Sequence, residues 1–147
     1  MPTYFKLHYH IVFSTQGRDP CLRKEIRPRL WNYMGGIVNG LGAQTRGIGG
    51  WIDHVHLLID IKPSLSVSDV VREIKKASSI WMKETIRIRN FAWQEGYGIF
   101  SVGPWDREKV QRYIEDQEDH HRQKTFSEEF VKMLEDAGVI YDPKFLP

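Results

Sequence analysis

Residues 49–61 read GGWIDHVHLLIDI, a glycine-led bend followed by a run of strand character. In a strand, residues two apart point to the same face. His54 and His56 therefore project together, with Val55 turned the other way. The preceding AQTRGIGG supplies a partner strand, so the pair reads as a hairpin around a glycine-rich bend. Upstream, YFKLHYHIVFST is rich in aromatic and β-branched residues and reads as a strand, and QGRDP follows as a turn. Residues 22–40, LRKEIRPRLWNYMGGIVNG, place Leu22, Ile26, Leu30, Tyr33, Met34 and Ile37 at helical spacing, against the grain of Pro28 and the Gly35-Gly36 pair. Downstream, SLSVSDVVREIKKASSIWMKET is the clearest helix, capped by Ser66 or Ser68, with Val67, Val70, Val71, Ile74, Ala77 and Trp81 as its apolar stripe. GIFSVG reads as a short strand. Asp106 then caps a helix from about Arg107 to His121, and a last helix, about Ser127 to Ala137, ends at Gly138. The first six elements spell β-α-β-β-α-β. That order predicts an α+β, ferredoxin-like (split βαβ) antiparallel sheet with helices on one face, followed by C-terminal helices.

The chain has 147 residues and is 41% hydrophobic, which suits one domain spanning residues 1–147. No apolar run approaches a membrane span, and MPTYFKLHYH does not read as a signal peptide. Cys21 is the one cysteine, which excludes an intrachain disulfide and a multi-cysteine zinc site and fits a reducing cytoplasm. Residues 1–105 hold 14 Lys and Arg against 8 Asp and Glu, while residues 106–147 hold 7 against 11. A basic body with an acidic end suits a polyanionic partner on one face, although ordinary solvated surface accounts for the same charges. Arg72, Lys75, Lys76 and Lys83 lie off the apolar stripe of their helix, where they face either nucleic-acid phosphates or water.

Two imidazoles on one rigid face can be two ligands of a divalent metal; they can equally be structural histidines. In RYIEDQEDHH, Tyr113 and Gln117 are four apart, one helical turn. The Gln carbonyl oxygen is then a third candidate ligand with the phenol beside it, or the pair is a packed tyrosine and a solvated glutamine. Taken together, the groups describe one chemistry: a cation polarises a phosphodiester oxygen while the Tyr hydroxyl attacks phosphorus. A phenol ordinarily titrates near pH 10, so it needs such help at neutral pH. Imidazole ligands favour Mn or Zn, phosphate chemistry favours Mg, and the residues alone leave the metal open.

HVHLLI resembles the His-hydrophobic-His motif of HUH endonucleases, and YIEDQ followed by HH is similar to the tyrosine-helix motif of single-tyrosine HUH transposases, the IS200-like and REP-associated tyrosine transposases. YHIVFST, VSDVVREIKKASSIW, FAWQEGYGIFSV and KTFSEEFVKMLEDAGVIYD extend the resemblance in order over nearly the whole chain. The resemblance implies a homodimeric DNA transposase whose C-terminal helices carry the catalytic tyrosine. Such an enzyme binds single-stranded DNA hairpins, cuts one strand through a 5′-phosphotyrosine link and rejoins strands, with Mg2+ or Mn2+ as cofactor. It implies Tyr113 as nucleophile and His54, His56 and Gln117 as metal ligands, in the cytoplasm of a bacterial or archaeal cell, at the nucleoid.

The other His-x-His pair, His8 and His10, has an aromatic centre and no counterpart as ligands in that family, so it reads as structural or supporting. His120 and His121, one turn past Gln117, read as solvated, with contact to DNA or a dimer partner as the alternative. Asp53 would orient a histidine, but strand alternation points it away from both. Trp93, Gln94 and Tyr97 either stack bases or pack a loop. The rival functions are another HUH nickase of the replication-initiator or relaxase kind, a domesticated hairpin-DNA binder without turnover, and a ferredoxin-like metabolite-binding module.

Overall fold

Strand β1, His8–Ser14, sits inside the sheet with both faces buried: Ile11 and Phe13 on one, His8, His10, Val12 and Ser14 on the other. The computed structural model describes residues 2–121 and 123–147. Helix α1 covers Arg27–Gly40, strand β2 Gln44–Gly50, strand β3 His54–Asp60, helix α2 Val67–Glu84 and strand β4 Gly98–Val102. Three C-terminal helices follow: α3 at Arg107–Glu115, α4 at Gln117–His120 and α5 at Phe126–Asp136. The sheet order is β2-β3-β1-β4 with every pairing antiparallel, the split βαβ arrangement expected of this element order.

Alternation along the strands separates two cores. Ile11, Phe13, Val55, Leu57 and Ile59 face α1 and α2, joining Leu30, Met34, Val38, Val70, Val71 and Ile74. Val12 faces the other way and packs with Phe126, Phe130 and Leu134 of α5. The register places His56 opposite Val12 and His54 opposite Ser14, so both histidines lie on the α5 side. The C-terminal helices thus close the face that α1 and α2 leave open.

Several boundaries differ from the sequence expectation for local reasons. Helix α1 starts at Arg27 rather than near Leu22, because the Leu22 amide bonds to the Ile52 carbonyl and holds that segment as a loop. Pro28 then falls in the first turn, where its missing N–H breaks no helical bond. Ser66, not Ser68, caps α2 by accepting from the Asp69 amide at 3.3 Å. The helix expected from Arg107 to His121 is broken at Asp116, whose φ of −93° and ψ of 19° leave the helical region, and Asp106 makes no side-chain cap. Thr125 caps α5 by accepting from the Glu128 amide, so that helix begins one residue early.

Glycines set how closely α3 approaches the sheet. A Cβ on Gly49 would lie 2.1 Å from the Ile114 carbonyl oxygen, and one on Gly47 would touch Gln111 Cγ at 3.4 Å. The helix therefore rests on bare strand backbone, which brings its side chains down onto β3. Among the described residues, no helix is long and apolar enough to cross a membrane.

Candidate functional site

His54 and His56 are fully buried on β3, beneath the C-terminal helices. Each ring is held from its Nδ1 side. His54 Nδ1 lies 2.8 Å from Asp53 Oδ1, and His56 Nδ1 lies 2.8 Å from His10 Nε2. Asp53 is thus the orienting carboxylate that strand alternation seemed to exclude. It precedes the first residue of β3, so the alternation does not extend to it. His10 supports the site from β1, as expected. His8 does not take part: its Nδ1 contacts Asp60 at 2.5 Å, and Arg46 binds the other Asp60 oxygen at 2.6 Å.

The Nε2 atoms point at groups from two helices, α4 and α5. His54 Nε2 is 3.0 Å from Gln117 Oε1, and His56 Nε2 is 3.0 Å from Glu129 Oε1. Gln117 is buried at the start of α4; its amide nitrogen donates to Glu129 Oε2 at 3.1 Å and approaches the Tyr113 carbonyl at 3.4 Å. The Tyr113 hydroxyl, half-buried on α3, donates a short hydrogen bond to Glu129 Oε2 and lies 3.4 Å from His120 Nε2. His121 Nε2 reaches Gln117 Oε1 at 2.9 Å and Glu129 Oε1 at 3.2 Å, while its Nδ1 lies 2.7 Å from the Lys124 carbonyl. His120 and His121 therefore belong to the cluster rather than to solvent.

Glu129 is the residue that motif spacing did not single out. Its position in the helix carries the signal. In α5 the apolar stripe is Phe126, Phe130, Met133 and Leu134, and residue 129 falls on that buried face as a carboxylate. A charged residue at a core position is kept when it is paired or holds a metal.

The electrostatics follow from burial and from this carboxylate. Burial would raise Glu129, but hydrogen bonds from His121 and His56 outweigh it and hold the group well below the usual carboxylate range. Burial, then the Glu129 charge and hydrogen bond, push the Tyr113 phenol well above its ordinary value. Burial lowers His56 to about 4 and, with the neighbouring His56, lowers His10 to about 3. Burial also lowers His120. For His121 the opposing hydrogen bond to Glu129 wins over burial and raises it.

The donor set fits a divalent cation. When His54 Nδ1 carries the ring hydrogen and donates it to Asp53 Oδ1, Nε2 presents a lone pair to Gln117 Oε1, another acceptor, 3.0 Å away. Two buried acceptors face to face require a positive charge, either a second proton on an imidazole or a metal. The ligand atoms of His54, His121 and Glu129 also lie within 4.8 Å of one another. Tyr113 lines two open clefts, of about 490 and 610 Å³, the first with Asp116, Asp119, His120, Gln123 and Lys124, the second with Ser101, Asp106 and Lys109.

The four candidate phosphate-binding cations on α2 lie across the sheet from this cluster. Lys76 and Lys83 are exposed, and Arg72 pairs with Asp69 at 3.0 Å. Lys75 is engaged within the fold, donating to the Gln94 and Gly96 carbonyls at 2.6 and 2.7 Å. Trp93 is a core residue that donates to Ser78 Oγ and packs on Phe13 and Phe91, and the Gln94 side chain accepts from the Ser14 amide.

Residues 3–117 match the family model described as "Transposase IS200 like". The ISDra2 transposase TnpA of Deinococcus radiodurans is 30% identical over 122 residues, covering 78% of this chain and 86% of the relative. A solved structure described as a transposase from Deinococcus radiodurans R1 is similar at a TM-score of 0.63 and 27% identity, over 80% of this chain and 95% of that one. The structure of the REP-associated tyrosine transposase bound to a REP hairpin is similar at a TM-score of 0.62 and 16% identity, over 82% of this chain and 72% of that one, a likeness of fold.

Proposed function

The chain belongs to the IS200-like transposase family, and on that premise we propose that it cleaves and rejoins single-stranded DNA beside a hairpin, with Tyr113 as nucleophile. The observation that carries this reading is the convergence of His54, His56, Gln117 and the Tyr113 hydroxyl on one buried cluster. His54, His56 and Gln117 would hold a Mg2+ or Mn2+ ion, which polarises a phosphodiester oxygen and offsets the charge that develops on it. Asp53 and His10 fix the two ring orientations. The Tyr113 oxygen forms a bond to phosphorus as the bond from phosphorus to the 3′-oxygen breaks. The phenol gives up its proton and the departing 3′-oxygen takes one up. A 3′-hydroxyl attacking the resulting 5′-phosphotyrosine rejoins the strand and restores the phenol.

The hairpin is inferred from a protein of the same fold that binds a REP hairpin. Arg72, Lys76 and Lys83 are proposed to reach DNA phosphates on the far side of the sheet, with Lys75 held back by its carbonyl partners. We also propose that the protein works as a homodimer, with the exposed apolar side chains Tyr4, Phe5, Ile140 and Phe145 available for contact. A light-scattering mass of twice the chain supports that; a single-chain mass at every concentration removes it.

The central test uses DNA hairpins from the flanks of the gene with Mg2+ or Mn2+. Wild-type protein is expected to form a covalent adduct, and Tyr113→Phe to bind the hairpin without one. An adduct that persists in Tyr113→Phe would mean a different nucleophile. The tight bond between Tyr113 and Glu129 favours a second reading, a hairpin binder without turnover. Wild-type protein that binds DNA but never forms the adduct would select it.

A further inference from the structure

Glu129 comes from α5, beyond residues 3–117 that match the family, yet it stands at the centre of the cluster. Its side chain is 1% exposed, and no Lys or Arg among the described residues pairs with it. Its partners are the Nε2 atoms of four histidines, the Gln117 amide and the Tyr113 hydroxyl. The two carboxylate oxygens face different groups. Oε1 lies 3.0 Å from His56 Nε2 and 3.4 Å from His54 Nε2, and His54 Nε2 lies 3.0 Å from Gln117 Oε1. Ligand atoms bound at about 2.1 Å to an octahedral cation stand about 3.0 Å apart along each edge. The three separations from Glu129 Oε1 to His56 and His54 and from His54 to Gln117, 3.0, 3.4 and 3.0 Å, are thus near ligand spacing. Imidazole nitrogens and an amide oxygen bring no negative charge to a cation, and Glu129 is the anion that a buried divalent charge requires. Oε2 meanwhile accepts the Tyr113 hydroxyl.

We propose that Glu129 bridges the two halves of the site: Oε1 is a fourth ligand of the divalent cation, and Oε2 positions the Tyr113 hydroxyl beside it. The inference rests on the cation and nucleophile assigned above. One carboxylate then sets the distance between cation and phenol, so the C-terminal helix is part of the site and not only a cover for it. His121 and Gln117 steady the carboxylate from the side.

The test measures Mn2+ affinity of the full chain by electron paramagnetic resonance, together with hairpin affinity and the adduct rate at saturating Mn2+. Glu128→Gln, on the exposed side of α5, serves as control. Glu129→Gln is expected to keep hairpin affinity and to lose about tenfold or more in Mn2+ affinity. Its adduct rate is expected to fall about a hundredfold, as the phenol is no longer held in place. Glu129→Asp keeps the charge on a shorter arm. It is expected to retain most of the Mn2+ affinity but still to slow the adduct by about tenfold or more, since one carboxylate no longer spans both groups. Wild-type Mn2+ affinity in folded Glu129→Gln, or a wild-type adduct rate in Glu129→Asp, overturns the proposal. If His56→Ala abolishes the adduct while both Glu129 variants form it at the wild-type rate, this inference falls and the function stands. Wild-type protein that neither binds Mn2+ nor forms an adduct removes both.

Discussion

At the scale of single residues, the site is a set of buried groups whose protons are fixed by their neighbours. His10 and His56 are lowered by burial to about 3 and about 4, against an ordinary value of 6.5. The unfolded chain takes up protons on these rings as pH falls through 6.5, and the folded chain resists until near their folded values. Their contribution to stability is therefore complete above about pH 6.5 and declines as pH drops toward 4. Glu129 acts in the same direction, since its folded value lies below the ordinary 4.5 despite its burial. His121 opposes them: its raised value stabilises the acid side, and that contribution fades as pH rises through its folded value. Two lowered rings and a lowered carboxylate outweigh the one ring that is raised. The cation-free protein is expected to melt about 5 °C or more lower at pH 4.5 than at pH 7. A melting temperature that is flat over this range would contradict the assignment of neutral, buried imidazoles.

At the scale of elements, the decisive contact is α3 on β2. Helix and strand meet through Gly49, where a methyl group would collide with the Ile114 carbonyl oxygen. A backbone atom cannot rotate away as a side chain can. Gly49→Ala is expected to destabilise the protein by about 1–3 kcal/mol in urea unfolding, by pushing α3 off the sheet. Because α3 carries Tyr113, the same variant should slow adduct formation even at temperatures where it is folded. Wild-type stability and rate together would show that the helix has more freedom than its packing indicates. The break at Asp116 matters for the same reason: it divides Tyr113 from Gln117, each on its own short helix. Their convergence depends on α5, whose Glu129 holds both.

For the whole molecule, charge is divided along the chain and chemistry is divided across the sheet. The cluster lies on one face, and the exposed cations Lys76 and Lys83 lie beyond the other, on α2. A strand engaged at both would have to pass around the edge of the sheet. The affinity of single-stranded DNA falls with salt by a slope of about −0.7 for each phosphate neutralised. Replacing Arg72, Lys76 and Lys83 with Ala is expected to flatten that slope by about 1–2 and to leave cation binding intact. An unchanged slope would assign α2 to solvent alone. Lys75→Ala differs in kind: it releases the Gln94 and Gly96 carbonyls, and its cost would be structural.

The sequence by itself determined the order of strands and helices and the pairing of His54 with His56 on one face. Each depends on periodicity or on local turn chemistry, which neighbouring residues carry. It also brought Tyr113 and Gln117 into view through their spacing. Only the tertiary structure decided that Asp53 supports His54, that His120 and His121 join the cluster, and that α3 breaks before Gln117. It alone brought Glu129 to the site from a helix 73 residues beyond His56 in the chain. Those contacts join groups that are distant in sequence or that lie just outside a regular element. Periodicity there says which face is buried but not what the buried group meets. A carboxylate at a core position shows that it needs partners, and the folded chain supplies them.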